Sequence, residues 1–268
     1  MDTREKLVEI AKENKTILCF GIDPDMKRMG EHAKGETPEE SLGPYFHGIL
    51  EKLVSEKEIS AIKPNYAFFA QYGFGGLYVL EELIQHYGKE VPVILDAKRG
   101  DIGKTGMAYA REVYDFWGAD AVTVSPYMGE DSVRPFVREG KLTYVLCRTS
   151  NKGAADFQEL KVGSGMLYEK VLEKAMEWEC GIVVGATSDA INGIVKKTGN
   201  KVPMLIPGIG AQGGDLGMVM KAIAGNAQIH RINASSSIAY AFEKHGGSPA
   251  DAALSEAKKL NETIREHL

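Results

Sequence analysis

The chain has 268 residues, 44% of them hydrophobic and 26% charged, and a formal net charge of −5 at pH 7. This composition is typical of a soluble globular protein, and the length suits one α/β barrel with a large core. The negative charge and the lack of a Lys- or Arg-rich run argue against nucleic acid as a partner, and no apolar run is long enough to span a bilayer. The first 15 residues predict a polar amphipathic helix, not a leader peptide, and the widely spaced Cys19, Cys147 and Cys180 are typical of a reducing cytoplasm.

Short apolar strand patterns alternate with helical patterns along the whole chain. Strands are predicted at residues 16–23, 60–65, 91–98, 121–126, 142–148, 181–186, 203–209 and 228–234. Helices are predicted at residues 1–15, 41–55, 76–87, 103–117, 131–139, before 178, from 189 to 199, after 214, and from 249 to the end, with an irregular segment at 26–37. Ser188 and Asp189 offer an N-cap for the helix that stops at Gly199, and Ser248 caps the last helix, which Pro249 opens.

Eight strands, each with a helical partner and no linker between halves, predict a (β/α)8 TIM barrel, an α/β fold. We expect one domain that covers residues 1–268, with the N-terminal helix as a cap. A doubly wound open sheet is the alternative, because periodicity does not reveal whether a sheet closes.

The stretch from Val91 to Thr105 places three charged residues at the end of a buried strand. Side chains alternate along a strand, so Asp96 and Lys98 are expected on one face, and Asp101 follows in the turn to the next helix. Charges at the end of a buried strand need a partner or a ligand. An α/β fold also places its chemistry at the carboxyl ends of its strands. These residues therefore predict an active site, with a structural ion-pair network as the alternative.

Polar residues end most of the other predicted strands and should converge with these charges at one end of the barrel, the mouth. The full set is Asp23, Lys63, Asp96, Lys98, Asp101, Ser125, Arg148, Ser150 and Gln212. A ring of salt bridges that closes the barrel is the structural alternative for any single member.

The segment from Gly208 to Gly213 matches the G-x-G-x-x-G pattern of dinucleotide-binding domains. The next strand ends in Ala234-Ser235-Ser236, without the acidic residue that would hold a ribose. The motif therefore indicates a phosphate monoester held by backbone N–H groups and a helix N-terminus. The six histidines lack metal-ligand spacing. Asp96 and Asp101 could hold Mg²⁺, but Lys98 already supplies positive charge between them.

The motif from Asp96 to Asp101 resembles the D-x-K-x-x-D signature of the orotidine 5′-phosphate decarboxylase family, in its D-A-K-R-G-D form. Further matches follow in the family's order and cover the chain from about residue 16 to 240. They lie at residues 21–24, 62–64, 124–127, 148–151 and 207–214. The D-x-K-x-x-D signature alone is shared with sugar-phosphate decarboxylases and aldolases of the same superfamily, whereas the whole set is more specific.

The resemblance implies a (β/α)8 homodimer without a cofactor that converts orotidine 5′-monophosphate to UMP and CO2 in pyrimidine biosynthesis. The residues implied as catalytic are Lys98, Asp96, Asp101 and Lys63. The residues implied in substrate binding are Asp23, Lys63, Ile102, Thr105, Ser150, Pro207, Gln212, Ser235 and Ser236.

The resemblance also implies a role for several of these residues. Asp101, Ile102 and Thr105 would reach into the neighbouring subunit's site. Asp23 and Lys63 would bind ribose hydroxyls. Ser150 would contact the pyrimidine, and Gln212, on a closing loop, would hold the phosphate.

One position departs from the family pattern. Members commonly carry an Arg after the eighth strand, in a run like S-S-R-G-I, to grip the phosphate, whereas this chain has Ser236 there. Arg231 is five residues earlier and on the opposite strand face, so it is a poor substitute. Losing a charge-assisted contact costs about 1.5–3 kcal/mol, which predicts weaker phosphate affinity with the chemistry retained.

Two alternative functions stay open. The first is a Mg²⁺-dependent sugar-phosphate decarboxylase or aldolase of the same superfamily, which would use the metal to stabilise an enediolate. The second, suggested by Ser236, is a non-catalytic protein that binds a nucleotide phosphate.

Overall fold

The computed structural model describes residues 1–187, 189–209 and 214–268. Within them, eight parallel strands form one sheet in the order β2-β1-β10-β9-β8-β5-β4-β3. These strands are β1 (Leu18–Ile22), β2 (Ala61–Pro64), β3 (Ile94–Arg99), β4 (Ala121–Val124), β5 (Leu142–Arg148), β8 (Gly181–Val184), β9 (Met204–Pro207) and β10 (Arg231–Ala234). Strands β6 (Lys161–Val162) and β7 (Gly165–Met166) form a separate antiparallel hairpin.

Two isolated parallel bridges join the ends of this sheet. Ile62 pairs with Val93, and Asn65 pairs with Asp96, which brings β2 alongside β3. The predicted (β/α)8 barrel is thereby confirmed, and the open-sheet alternative is wrong.

Helices connect the strands. They are α1 (Thr3–Asn14), α2 (Met26–Met29), α3 (Pro38–Ser55), α4 (Tyr66–Ala70), α5 (Gly73–Tyr87), α6 (Gly103–Arg111), α7 (Glu130–Val133), α8 (Leu167–Glu177), α9 (Ala190–Thr198), α10 (Leu216–Ile223), α11 (Ser236–Ala239), α12 (Phe242–His245) and α13 (Pro249–Arg265). A π-helical turn, Glu112–Phe116, extends α6. None of the helices described is long and apolar enough to cross a membrane.

The sequence signals for helix ends have a direct physical basis. The Ser248 side chain accepts a hydrogen bond from the backbone N–H of Asp251, and Pro249 opens α13, as predicted. Gly199 ends α9 in the left-handed conformation with φ 62°, also as predicted. Ser188, the other predicted cap, lies outside the described residues, and the Asp189 side chain makes no capping bond to any residue that the structure describes.

Alternation along the strands divides the core in two. Cys19 of β1 points into the barrel, whereas its neighbours Leu18 and Phe20 pack between the barrel and the helices. Leu7 of α1 joins the cluster inside the barrel, and the Thr3 hydroxyl donates to backbone carbonyls at the amino ends of the strands. Helix α1 therefore caps the barrel floor, opposite the mouth, as predicted.

Some element boundaries were wrong. The helix predicted at 131–139 is only α7 followed by a 3-10 turn, Arg134–Phe136, because Pro135 has no backbone N–H to continue an α-helix. The segment 26–37 contains α2 and a 3-10 turn, so it is not wholly irregular. Residues 228–229 belong to a 3-10 segment, so the last barrel strand begins later than predicted.

Candidate active site

Three charged side chains meet at the barrel mouth. One oxygen of Asp96, Oδ2, accepts a hydrogen bond from Nζ of Lys63 at 2.8 Å, and the other, Oδ1, accepts from Nζ of Lys98 at 2.6 Å. Asp96 and Lys98 lie two residues apart in β3 and share one face, as their spacing predicted, while Lys63 comes from the adjacent strand β2. Lys63 is 4% exposed, whereas half of the Lys98 side chain is exposed. Lys98 is therefore the cation that a ligand in the mouth can reach.

Burial and charge act in opposite directions on this cluster. Burial alone would raise the pKa of Asp96, but the ammonium groups of Lys63 and Lys98 outweigh it and hold the pKa well below its ordinary value. Burial alone would lower the pKa of Lys63, but the charges of Asp96 and Asp23 outweigh it and raise the pKa. Both groups therefore stay charged around neutral pH.

Thr123 of β4 also belongs to this cluster, although it was not predicted from the sequence. Its hydroxyl donates to Oδ1 of Asp96 at 2.8 Å and accepts from the backbone N–H of Lys98 at 3.0 Å. A lone polar residue within the apolar run of β4 was the available signal. Thr123 fixes both the carboxylate and the backbone of the lysine that pairs with it.

Asp23 lies directly after β1, on the Lys63 side of the mouth. Its Oδ1 is buried and has no hydrogen-bond partner among the described residues, so an acceptor is left for a ligand. The Tyr240 side chain fixes the backbone around Asp23. Its hydroxyl donates to the Asp23 carbonyl at 3.0 Å and accepts from the N–H of Asp25 at 2.7 Å. Tyr240 was not identified from the sequence either.

The ends of β9 and β10 carry three of the predicted substrate-binding residues. Pro207 ends β9, Ser235 follows β10, and Ser236 begins α11. Asn233 donates from Nδ2 to the Ser235 hydroxyl at 3.2 Å, and its own Oδ1 is buried without a partner in the described part of the chain.

One close backbone contact lies at this edge of the mouth. Ser235 packs on the backbone of Gly21, where a Cβ would overlap its hydroxyl. Gln212 lies outside the described residues.

Three other residues considered from the sequence form no hydrogen bond with the charged cluster of Asp96, Lys63 and Lys98. Ser150 is half-buried after β5 and lies so close to Gly185 that no side chain fits there. Arg148 is turned to Glu159, 2.5 Å away. Arg231 is fully buried under the barrel floor, where it donates to the backbone carbonyls of Leu7, Gln228 and His230. Arg231 is therefore not available to replace the missing Arg at position 236, as predicted.

Asp101 does not contact Lys98 of its own chain. Its Oδ1 accepts from the backbone N–H of Ile102 at 2.8 Å, and it forms no ion pair with any described residue. Ile102 and Thr105 are both exposed, with Ile102 53% exposed. Within one chain, therefore, Lys98 is paired with a single carboxylate.

No group of three or more His, Cys, Asp or Glu side chains in the described ranges is arranged to hold a metal ion. The mouth offers instead the ammonium of a half-exposed lysine side chain paired with a buried carboxylate, with acceptors on Asp23 and Asn233 that have no partner among the described residues. Such a site can stabilise negative charge and transfer a proton.

Comparison with known proteins agrees with this geometry. The model of the orotidine 5′-phosphate decarboxylase / HUMPS family matches residues 5–245. The chain belongs to this family. It is 41% identical over 263 residues to the orotidine 5′-phosphate decarboxylase of Herpetosiphon aurantiacus, covering 95% of this chain and 94% of that one. It is 38% identical over 276 residues to that of a Roseiflexus species, covering 100% and 99%.

A solved structure gives the same result. The OMP decarboxylase of Leishmania donovani superposes with a TM-score of 0.81 at 36% identity, over 99% of this chain and 100% of that one. The family match therefore extends over the whole barrel, not just the D-x-K-x-x-D motif.

Proposed function

We propose that this protein decarboxylates orotidine 5′-monophosphate to UMP and CO2, as a carboxy-lyase. The observation that carries the proposal is the ammonium of the half-exposed Lys98 side chain, which lies 2.6 Å from the buried carboxylate of Asp96. Family membership and the names of the relatives support the substrate. The protein would act in the cytoplasm as a single barrel domain, residues 1–268.

Lys98 supplies the central chemistry in this reaction. The bond between C6 of the pyrimidine and its carboxyl carbon breaks, CO2 leaves, and the electron pair stays on C6. A preorganised ammonium stabilises that charge as it develops. Lys98 then donates a proton to C6 to give UMP, and its exposed half allows solvent to restore the proton.

Asp96 and Lys63 keep Lys98 in place. With Lys63 on one carboxylate oxygen and Thr123 and Lys98 on the other, Asp96 cannot rotate without losing hydrogen bonds. Asp96 would lie beside the departing carboxylate. Lys63 and the free Oδ1 of Asp23 would bind the ribose hydroxyls.

The phosphate would be held without an arginine at position 236. Gln212 and the hydroxyls of Ser235 and Ser236 would bind it, next to Pro207, while Ser150 would contact the pyrimidine at the other side of the mouth. Binding energy from the phosphate would help to align the reacting end of the substrate.

A homodimer would complete the site, with Asp101, Ile102 and Thr105 contributed across the interface. Asp101 has no ion pair in its own chain, as far as the structure describes it, so it is free to face the partner's Lys98. Ile102 and Met107, which follow Asp101 closely in the sequence, are large apolar side chains that are 53% and 47% exposed. An apolar groove of about 680 Å³, lined by residues such as Tyr127 and Phe157, offers a surface to bury them.

The test is turnover of orotidine 5′-monophosphate by the purified protein, with and without EDTA. We expect release of CO2 and formation of UMP that EDTA does not change. EDTA-sensitive turnover of a sugar phosphate in its place would favour the metal-dependent relatives. UMP binding without any turnover would favour a non-catalytic nucleotide binder.

A further inference from the structure

The backbone of Lys98 is in an unusual conformation. Its φ is 46°, in the left-handed region that residues other than glycine rarely adopt. The pairing of β3 with β4 also shifts register between Leu95 and Arg99, so Lys98 sits in an irregularity of the strand. Such a conformation persists only where the surroundings hold it. The bond from the Lys98 N–H to Thr123 is one restraint.

The next residue, Arg99, is held far more firmly. Its Nε donates to Oε2 of Glu112 at 3.0 Å and its Nη2 donates to Oε1 at 2.6 Å, a two-point pairing that fixes the guanidinium plane. The guanidinium carbon lies 4.4 Å from the ring centre of Tyr66 and 4.6 Å from that of Tyr109. The Arg99 side chain is only 16% exposed.

The partners of Arg99 come from elements that surround the site. Tyr66 begins α4, directly after the strand that supplies Lys63, and Tyr109 is in α6. Glu112 opens the π-helical turn and also accepts from Nε1 of Trp117 at 3.2 Å. Turns of this kind often mark functional sites in helices. The Arg99 carbonyl is fixed as well, since it accepts from the N–H of Ser125 at 2.7 Å.

We propose that Arg99 is a positioning residue for the decarboxylation. Its side chain pairs with Glu112 and packs on two tyrosine rings, whereas the Lys98 side chain pairs with Asp96. Arg99 therefore acts through the backbone and not on the substrate. With residue 99 fixed by Glu112 and the two tyrosines, Lys98 keeps its left-handed backbone and its ammonium stays on Asp96. The proposal rests on the proposed function, because it assigns the purpose of this clamp to the reaction.

The test compares two clamp variants with a matched control. Arg99→Lys keeps the charge but loses the two-point pairing and the planar stack, and Glu112→Gln weakens the same pairing from the other side. The control is Arg138→Lys, since Arg138 also pairs with a carboxylate, Asp115 at 2.8 Å, and lies 5.4 Å from the ring centre of Tyr114. Arg138 is not next to a residue of the site.

We expect the clamp variants to lower kcat without weakening UMP binding. In Arg99→Lys, kcat should fall on the order of 10- to 100-fold, because a misplaced catalytic group is costly even when nothing else changes. The dissociation constant of UMP should stay within about threefold, since Arg99 does not touch the ligand. Glu112→Gln should shift kcat in the same direction, and Arg138→Lys should leave it unchanged. A merely structural clamp would lower the Tm of both clamp variants and leave kcat intact, which would overturn the proposal.

A second readout needs no substrate. Trace acetylation with acetic anhydride, quantified by mass spectrometry, measures how available the Lys98 amine is relative to the exposed Lys196. Acylation uses the lone pair of the amine, which is unavailable while the ammonium donates to Asp96. Lys98 should therefore react faster in Arg99→Lys and Glu112→Gln than in the unaltered protein or in Arg138→Lys.

The two readouts separate the possible failures. If the unaltered protein releases no CO2 from orotidine 5′-monophosphate, the proposed function fails, and the acetylation comparison still decides whether Arg99 positions Lys98. Unchanged acetylation of Lys98 in both clamp variants would overturn the inference, even with a lowered kcat, because Arg99 would then not act through Lys98.

Discussion

The Nζ of Lys98 lies 2.6 Å from Oδ1 of Asp96, at the carboxyl end of the strand that carries both residues. The second oxygen of Asp96 is occupied by Lys63, so a single buried carboxylate holds two ammonium groups. The two lysines differ in access, because Lys63 is buried and Lys98 is half exposed. That difference is why Lys98, and not Lys63, is the proton donor in the proposed reaction.

Replacing Asp96 by Asn should destabilise the protein by about 3–5 kcal/mol near neutral pH, because Lys63 is then buried without its carboxylate. Urea unfolding measures this change in the free energy of unfolding. As a control, Glu13→Gln breaks the exposed pair with Lys57 and should leave stability almost unchanged.

The contribution of the Asp96–Lys63 pair to stability should depend on pH in a definite direction. In the native protein the pKa of Asp96 is lowered and that of Lys63 is raised. The pair therefore contributes fully from about pH 4 to 10, and its contribution is lost as pH falls through the lowered pKa or rises through the raised one.

In Asp96→Asn, burial acts on Lys63 without this carboxylate and lowers its pKa, so the variant gains stability as pH rises. The difference in the free energy of unfolding between the variant and the native protein should be smaller at pH 9 than at pH 6. An equal difference at both pH values would contradict the assignment.

Restoring the arginine in Ser236→Arg should lower the KM for orotidine 5′-monophosphate and tighten UMP binding about tenfold or more, because a charge-assisted contact is worth about 1.5–3 kcal/mol. The kcat should change little. Ser236→Met, which adds length without charge, is the control, and uridine binding should be the same in both variants. An unchanged KM in Ser236→Arg would mean that the phosphate does not lie beside position 236.

The fold was predictable because a barrel repeats one simple pattern. Each strand is apolar, and each helix pattern ends at signals such as Gly199 or begins at signals such as Ser248, which act locally. The errors in the predicted elements also had local causes. Pro135 shortened a predicted helix, and the hairpin of β6 and β7 is too short to leave a periodic signal. Closure of the sheet was not readable from periodicity and depends on pairing between distant residues such as Ile62 and Val93.

The candidate site was only partly predictable for a similar reason. Alternation placed Asp96 and Lys98 on one face, and the strand ends pointed to Lys63 and Asp23. Thr123 and Tyr240 were missed, since their roles depend on contacts with residues far away in the sequence. A lysine in the sequence does not indicate a left-handed backbone, so the conformation of Lys98 could be seen only in the structure. The role proposed for its neighbour Arg99 depends on that conformation.

Subunit mixing tests whether Asp101 works across a dimer interface. Lys98→Ala and Asp101→Ala should each be nearly inactive alone. In a mixed dimer, one site combines the intact Lys98 of one chain with the intact Asp101 of the other. An equal mixture should therefore recover about a quarter of the native activity, since half of the dimers are mixed and one of their two sites is complete. If Asp101 serves its own chain, the mixture stays inactive.

The most direct measurement is kcat of Lys98→Ala at saturating orotidine 5′-monophosphate, with UMP binding measured on the same preparation and Lys196→Ala, at an exposed position, as the control. We predict a loss of kcat on the order of 10⁴-fold or more, because the variant lacks both the charge that stabilises the carbanion and the proton donor. UMP binding should stay measurable, and Lys196→Ala should behave like the native protein. A near-normal kcat in Lys98→Ala would contradict the proposed mechanism.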